Sequence, residues 1–454
     1  MVTIPPLSSS SAKQYAKSLS VSWKEGIAAA FMIAVTDFYL IPFGLFLGGS
    51  ALEIGLLVAI PQLLGSVSQL TAVKIVKLLG SRQRFLPRAC ALQACLLIPM
   101  AALSFWPCIF QIEILIACTA IFRILGGLIG TVWGSLASDY LPANERGAYF
   151  GWRSQITGLA GVGGMLVGGL VLFFSKIFLP QLGFLCLFLL ASLARFISAA
   201  LMNQMEDIPL THHKDSDFTF VKFLSRFKES NFVKFVLYVT SVTFAAHLAA
   251  PYFSVYMLRD LKMTYIGYMT IHLSAVLAGL FGFTIWGHHA DQVGNARVLK
   301  MSSFLIPLIP FLWLFSANFW WLIVVELFAG FVWSGFNLCS VNFIFDAVAP
   351  EKRVRCLGYF NLINGIGVFA GALVGGYLAE HLPRVMGSRL FLLFLFSGIL
   401  RYLSHFLLSE QFKEVRGTTR QVSSAELFFS VVGMKPIQGR NREVNGIDLF
   451  KSSH

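Results

Sequence analysis

Two charged residues lie inside long apolar stretches of this sequence, a carboxylate that can bind a proton and a guanidinium that can serve as its counter-charge. Asp37 interrupts the stretch FMIAVTDFYLIPF (31–43), and Arg123 lies deep in a second apolar stretch. A charge in an apolar medium costs about 2.5–3.5 kcal/mol or more unless it is paired or reaches water. A carboxylate can take up and release a proton, whereas a guanidinium stays charged and can act as its counter-charge. If the two residues face each other, they predict a proton site, with a static salt bridge as the alternative.

Other polar and aromatic residues extend the predicted site. Glu326 can share a cavity with Arg123 or bind a proton, although a position near the outer end of its stretch explains it equally well. His247 can bind a substrate or titrate near neutral pH, and a hydrogen bond between helices is the simpler alternative. Aromatic faces with an amide suit an amphiphilic or sugar-like ligand. The remaining candidates for ligand contact are Trp133, Tyr252, Trp333 and Asn337.

Other kinds of site find no support in the sequence. It contains no Gly-rich loop ending in Lys-Ser/Thr and no supported Ser/His/Asp or Cys/His arrangement. The seven Cys are scattered without a CxxC pair, as expected of small apolar residues rather than ligands. The pair His288-His289 lacks further ligands at zinc spacing. The sequence therefore predicts no enzyme, no cofactor and no metal site.

Composition indicates what surrounds these residues. Hydrophobic residues make up 56% of the 454-residue chain and charged residues 13%, against about 25% charged in soluble domains. The net charge of +13 is carried mainly between the apolar stretches, which is typical of a membrane orientation signal rather than of nucleic-acid binding. A spanning helix needs about 20 apolar residues. By that length the twelve predicted spans are 23–48, 51–76, 86–105, 110–137, 148–174, 181–203, 231–258, 263–287, 297–316, 318–346, 355–380 and 388–409.

The basic residues predict the orientation of these spans. Lys and Arg number 20 on the side of the N-terminus and five on the other side, so both termini are expected in the cytoplasm. Arg195 and Arg401 lie within spans and are expected to extend to the membrane edge or to pair near it. The predicted parts are a cytoplasmic N-terminal segment (1–22), an N-terminal six-helix bundle (23–203), a cytoplasmic linker (204–230), a C-terminal six-helix bundle (231–409) and a cytoplasmic tail (410–454).

The two bundles repeat one pattern. The stretches GAYFGWRSQITGLAGVGGMLVGG (147–169) and LGYFNLINGIGVFAGALVGG (357–376) each follow an Asp and a Pro, at an offset close to 210 residues. Asp37 and His247 occupy nearly matching places, each shortly before a Pro. Two such halves around an axis along the membrane normal enclose a site near the bilayer midplane. The predicted fold class is an all-α membrane protein with two pseudo-symmetric six-helix halves.

The stretch GHHADQVGNARVLK (287–300) lies between spans 8 and 9. It contains a Gly, then an Asp after three residues, then a second Gly after two more, followed by basic residues. These residues are Gly287, Asp291, Gly294, Arg297 and Lys300. The pattern resembles the loop signature of the major facilitator superfamily (MFS). The resemblance implies that the Asp caps a neighbouring helix, pairs with an Arg and latches the outward-facing state. The equivalent segment VKIVKLLGSRQR (73–84) lacks the Asp, so a weaker latch is expected there.

Together with the repeat and the basic asymmetry, the resemblance implies the MFS fold and a secondary transporter. In that superfamily helices 1, 4, 7 and 10 line the cavity, so Asp37 and Arg123 are expected to face each other, as in its proton-coupled symporters. We expect a monomer in the lipid bilayer, the inner membrane if bacterial, that moves a small-molecule substrate by alternating access with protons as the coupling ion. The alternatives are proton-antiport efflux of drugs or metabolites and, in another class, a transporter-like membrane sensor. The superfamily's antiporter signature on helix 5 is incomplete, because Met165 stands in place of its Pro.

Overall fold

The computed structural model describes residues 14–208, 230–349, 352–385 and 387–416, with the short pieces 420–421, 424–431 and 440–441. Within these ranges twelve helices are long and apolar enough to cross a membrane, which confirms the predicted fold class. Large apolar side chains such as Phe281 (72% exposed) and Phe174 (57% exposed) lie on the outer surface, where lipid replaces water. Residues 1–13, most of the predicted linker and most of the predicted tail lie outside the described ranges.

The N-terminal half contains six helices. Helix α1 begins before the predicted residue 23 because its first turns pack against the rest of this half, with Leu19 and Ser22 each 1% exposed. The bounds are α1 Ala16–Phe46, α2 Ala51–Leu79, α3 Arg82–Ala102, α4 Gln111–Asp139, α5 Ala143–Phe178 and α6 Pro180–Met202.

The C-terminal half contains six further helices, two of which are broken. Helix α7 comprises Asn231–His247 and Ala250–Val255 with a π turn at Tyr256–Asp260, and α9 comprises Asn295–Leu305 and Leu308–Phe315. Both breaks contain or adjoin a proline, Pro251 and Pro307, which lacks the N–H that continues a helix. The other bounds are α8 Tyr265–Val293, α10 Phe319–Ala347, α11 Arg353–His381 and α12 Leu390–Leu408, followed by a short helix α13 Ser424–Val431.

Helices α8 and α9 meet at a single residue. The prediction of a loop over 287–300 is wrong, because α8 continues to Val293 and α9 begins at Asn295. Gly294 makes the connection with φ of +94°, a conformation that glycine adopts without the steric cost of a Cβ atom. Most of the signature residues therefore lie on helices.

The two halves are in close contact at one end of the molecule, and α2 and α11 also meet nearer the other end, where Asn361 Nδ2 donates to Gln69 Oε1 at 2.9 Å. We call the end with the start of α1 and Gly294 the basic end, and the end with the turn between α1 and α2 the opposite end. At the opposite end the Leu52 amide donates a hydrogen bond to Glu380 Oε1 at 2.9 Å, joining α2 to α11. The Tyr268 hydroxyl donates to the Phe38 carbonyl oxygen at 3.1 Å, joining α8 to α1. These contacts close the opposite end.

Helices α5 and α8 separate toward the basic end. A Cβ atom added at Gly169 of α5 would collide with Met269 of α8, whereas one added at Gly151 or Gly158 of α5 would meet no atom within 4 Å. The space between the halves is therefore closed at the opposite end and open between α5 and α8 at the basic end.

Candidate functional site

A cavity of about 480 Å³ in the N-terminal half holds the predicted proton site. Asp37 of α1 and Arg123 of α4 both line it. Arg123 Nη2 donates to Asp37 Oδ1 at 2.8 Å, and the two side chains are 34% and 36% exposed. The structure thus brings together the two charges that the sequence singled out, and it leaves both accessible from the cavity.

Small residues position Arg123 by letting α4 approach α2. A Cβ atom added at Gly65 would lie 3.1 Å from the Arg123 carbonyl oxygen, and one added at Gly127 would collide with the Gly65 carbonyl oxygen. Ser68 Oγ donates to the Ile124 carbonyl oxygen at 3.0 Å. Glycine at a helix contact allows the backbones to approach closely. One face of α4 is therefore held against α2, and the Arg123 side chain reaches α1.

A second charged cluster lines the same cavity nearer the basic end. It centres on Glu25, which lies 12 positions before Asp37 on α1, or about 18 Å along a helix. Glu25 is 2% exposed. Its carboxylate accepts a hydrogen bond from Ser198 Oγ at 2.9 Å and from Arg153 Nη2 at 3.3 Å, and Arg195 Nη1 lies 3.9 Å away. Two guanidinium groups thus compensate one buried carboxylate, as a buried charge requires.

Neutral side chains complete this cluster. The Arg153 guanidinium lies over the Trp133 ring, 4.1 Å from its centre, which is a favourable cation–π geometry. Arg195 Nε donates to Gln93 Oε1 at 2.8 Å. The predicted ligand residue Trp133 therefore lines the cavity as the partner of an arginine.

Sequence reasoning missed Glu25, Arg153 and Gln93 as parts of the site. The available signal was a carboxylate in predicted span 1 with arginines in spans 5 and 6. Their pairing depends on how α1, α5 and α6 pack, which no spacing along the chain shows.

The predicted extension of Arg195 and Arg401 to the membrane edge is wrong, whereas Arg195 does pair, with Glu25 and Gln93. The exposed fractions of Arg195 and Arg401 are 4% and 2%. Arg401 of α12 donates to the carbonyl oxygens of Ala246 at 3.2 Å and Ile306 at 3.3 Å. Both carbonyls lie where α7 and α9 are broken, so the guanidinium bonds backbone oxygens at points where the regular helical pattern is interrupted.

The two titratable candidates of the C-terminal half make no contact with Arg123. Glu326 is 9% exposed and buried within its own half. His247 is the last residue of the first piece of α7, and its Nδ1 bonds the Thr243 carbonyl oxygen of the same helix at 3.0 Å. In the described part of the chain, Asp37 is the one side-chain partner of the Arg123 guanidinium.

The other candidate ligand residues also lie outside this cavity. Tyr252 is fully buried, and its hydroxyl donates to the Ala372 carbonyl oxygen of α11 at 2.8 Å. Trp333 is partly buried and packs against Phe336, with ring centres 5.4 Å apart. Asn337 is exposed on α10. Tyr252 thus has a packing role in this conformation, and only Asn337 is free of close packing.

The signature residues of α8 and α9 pair with the segment that follows α12. Asp291 Oδ1 accepts from Arg416 Nη1 at 3.1 Å, and Lys300 Nζ donates to Glu410 Oε1 at 3.1 Å. The Asp291 and Arg416 side chains are 73% and 48% exposed. Asp291 therefore pairs with an arginine, as the resemblance implied, but with one beyond α12. The other signature residues lie along the same connection: Gly287, Gly294 and Arg297.

Burial anchors this segment. Phe412 is fully buried and packs against Phe235, Tyr238 and Phe343. Glu414 Oε2 accepts from the Ala296 amide at 2.7 Å, in the first turn of α9, where free amides favour an acidic partner. Residues 409–416 therefore form part of the C-terminal half. The described residues include no group of three His, Cys, Asp or Glu side chains placed to hold a metal ion.

Comparison with known proteins identifies the family. The model of the Major Facilitator Superfamily matches residues 26–306 and 235–437. The chain belongs to this superfamily of membrane transporters, a class that is not enzymatic, and it is an integral multi-pass membrane protein.

Relatives and solved structures similar to this chain include the following examples. It is 29% identical over 167 residues to the multi-drug resistance efflux pump PmrA of Streptococcus pneumoniae, covering 36% of this chain and 40% of the pump. It is 28% identical over 102 residues to the class B tetracycline resistance protein of Escherichia coli, covering 22% of this chain and 25% of that protein. The matched region thus spans well under half of each relative.

The nucleoside transporter NupG superposes with a TM-score of 0.66 at 14% identity, covering 87% of this chain and all of NupG. A bacterial homologue of the human lysosomal transporter Spinster, in an inward-facing and unoccupied conformation, has a TM-score of 0.63 at 14% identity, covering 89% of this chain and 98% of the homologue. At these identities the structures show a shared fold.

Proposed function

We propose that this protein is a proton-coupled secondary transporter in which Asp37 carries the proton. The observation that supports the proposal is the 2.8 Å ion pair of Asp37 and Arg123 inside a cavity. Each side chain is about one third exposed, so a proton and a solute can both reach the pair.

A proton on Asp37 changes the interaction between α1 and α4. In the paired state the attraction of the two charges holds the helices together. Protonation removes that attraction and leaves Arg123 charged and without its carboxylate partner. The same event that loads the proton therefore alters both a helix contact and the charge that a substrate meets.

The conformation of the structure supports alternating access. The halves touch at the opposite end and along α2 and α11, and they separate between α5 and α8 at the basic end. Rocking one half against the other would open the first contact and close the second gap. With the basic end in the cytoplasm, as the basic residues predict, this is the inward-facing state.

Symport is the mode of coupling that we propose first, and export by proton antiport is the second. Symport follows from the helix 1 and helix 4 pair, which the sequence already indicated. Antiport is favoured by the relatives, which are named as efflux pumps and resistance proteins. The two directions differ in the sign of the proton flux that accompanies the solute.

Proton flux in proteoliposomes tests the proposal. The purified protein is reconstituted with a pH-sensitive dye inside, and tetracycline, ethidium, nucleosides and carboxylic acids are added outside. Entry by symport acidifies the interior, and exchange by antiport makes it alkaline. We expect Asp37→Asn, which mimics the protonated side chain, to abolish proton flux and uphill accumulation while leaving exchange of labelled solute intact.

A matched control tests whether the loss of coupling is specific to Asp37 or follows from removing a carboxylate elsewhere. Glu113→Gln removes an exposed carboxylate from the first turn of α4, so coupling should persist. Accumulation against a gradient by Asp37→Asn would show that another group carries the proton.

The orientation is tested separately. We propose that both termini and residues 204–230 are cytoplasmic. A cysteine placed at Ser216, which lies outside the described residues, should not react with an impermeant thiol reagent added to intact cells. Labelling of this cysteine would show that the orientation is the opposite one.

A further inference from the structure

The charges that line the cavity do not balance. The charged members of its lining are Glu25, Asp37, Arg123, Arg153 and Arg195. Three guanidinium groups therefore face two carboxylates when both acids are ionised, an excess of one positive charge. A proton on Asp37 raises the excess to two. A positive charge without a partner is unfavourable away from bulk water, so the cavity favours an anion.

The two clusters contribute differently to this excess. At the basic end, the Glu25 carboxylate, the Ser198 hydroxyl and the Gln93 amide hold Arg195, and its side chain is 5% exposed. In contrast, Arg123 is 34% exposed. A guanidinium has five N–H donors, and Asp37 accepts from one of those of Arg123, its one side-chain partner in the described ranges. Arg123 is thus the most exposed of the three guanidinium groups, since Arg153 is 15% and Arg195 5% exposed, and it has donors available to a ligand.

We infer that the substrate is an organic anion whose acid group takes the place of the Asp37 carboxylate at Arg123. This inference rests on the proposed function, because protonation of Asp37 is what releases Arg123. A carboxylate, sulfonate or phosphate matches the planar donor fork of a guanidinium better than a neutral group does. The proton and the anion then occupy adjacent positions and are favoured together, which is the thermodynamic basis of symport.

The rest of the lining indicates the body of this anion. Phe122, Met32, Ile33 and Ile129 provide apolar surface, and Gln62 provides an amide. A cavity of about 480 Å³ lies within the range of about 300–1,000 Å³ that holds small organic ligands. The expected substrate therefore joins one acid group to a mainly apolar body.

Ligand-dependent thermal stability measures this preference without requiring transport. The purified full-length protein is heated with a panel of carboxylic acids, sulfonates and phosphates, each paired with the amide or alcohol and the amine of the same carbon skeleton. Ligands that bind the folded state raise the Tm with concentration. We expect the acids to raise it more than their neutral and cationic counterparts, and most strongly in Asp37→Asn, where no carboxylate competes for Arg123.

Variants at Arg123 complete the test. Because a hydrogen bond to a charged group contributes about 1.5–3 kcal/mol, Arg123→Gln in the Asp37→Asn background should lower the affinity for acids at least about tenfold. This double variant leaves no unpaired charge, which protects its folding, and Arg123→Lys should retain part of the affinity. Arg259→Gln is the control, because that exposed arginine lies outside the cavity and pairs with Asp260.

Three results would overturn the inference: acids that raise the Tm of Asp37→Asn no more than their amides, preferential stabilisation by amines, or acid binding that survives in the double variant. Failure of the proposed function is a separate outcome. Acid binding through Arg123 without any proton flux would reject proton coupling and leave the substrate class in place. Proton flux driven only by neutral or cationic solutes would reject the anionic substrate and leave proton coupling in place.

Discussion

Removal of the Glu25 charge should destabilise the N-terminal half strongly. Glu25→Gln keeps the size of the side chain and its ability to accept from Ser198. It leaves Arg195, 5% exposed, and Arg153, 15% exposed, without their carboxylate. Breaking a buried ion pair by removing one partner costs about 3–5 kcal/mol. We expect the lower value, about 3 kcal/mol, because Arg153 keeps its contact with the Trp133 ring.

The Tm of the purified protein in one detergent, at a fixed scan rate, measures this loss. A fixed rate is needed because unfolding of large proteins is commonly irreversible. For a unit of the size of the N-terminal half, each kcal/mol shifts the Tm by about 2–4 °C, so Glu25→Gln should lower it by about 6–12 °C. Glu113→Gln is the control, since the same chemical change at an exposed site should have an effect within about 1 kcal/mol.

A double-mutant cycle tests the ion pair itself. Glu25→Gln combined with Arg195→Gln should be more stable than the sum of the single effects predicts, because the second change removes a charge that the first left unpaired. A Tm of Glu25→Gln within about 2 °C of the unmodified protein, below the shift that one kcal/mol gives, would refute the reasoning. Strictly additive effects in the cycle would refute it as well.

Three further outcomes are expected. Gly55→Ala should shift the protein toward a state open at the opposite end, because the added Cβ would lie 2.7 Å from a carbonyl oxygen of α11. Longer distances between spin labels placed at that end would show the shift. Gly163→Ala, whose Cβ would meet no atom within 4 Å, should leave these distances unchanged. Arg82→Gln should lower the Tm measurably, because the buried Arg82 donates to the Ser135 hydroxyl and the Ile208 carbonyl oxygen besides pairing with Asp139, and each lost hydrogen bond costs about 0.5–1.5 kcal/mol. The exposed Arg84→Gln should have no such effect. Asp291→Asn should slow transport while changing the free energy of unfolding by less than about 1 kcal/mol, because its ion pair is exposed. A large loss of stability accompanying the slower transport would contradict a latch role.

The number and class of the helices could be predicted from the sequence because they depend on composition. A stretch that is long and apolar enough to span a bilayer must form a helix that satisfies its own backbone hydrogen bonds. That rule needs no knowledge of neighbours, and the twelve predicted spans match twelve helices in the described ranges. The cost of a charge in lipid singled out Asp37 and Arg123, and the resemblance to a superfamily whose helices 1 and 4 line one cavity led to the pair that the structure shows.

The same reasoning misplaced features that depend on contacts between helices. The pattern at 287–300 predicted a loop, whereas α8 and α9 occupy all of it except Gly294, which alone allows the chain to turn. Arg195 and Arg401 were expected at the membrane edge, since a long basic side chain can reach water from a helix end. Arg195 instead contacts Glu25, Ser198 and a buried amide on α3. Arg401 donates to carbonyl oxygens at breaks in α7 and α9.

Sequence alone determined that this chain is a membrane bundle of two related halves and that it contains charged residues in need of compensation. Both conclusions follow from single segments, because the apolar length of a segment and the cost of a charge within it do not depend on its neighbours. The tertiary structure decided which charges compensate which. Glu25, Arg153 and Arg195 lie on α1, α5 and α6, and a favourable charge interaction depends on the distance between atoms and on their separation from water. Both quantities are set only when the helices pack, so the excess of positive charge in the cavity became visible at that level alone.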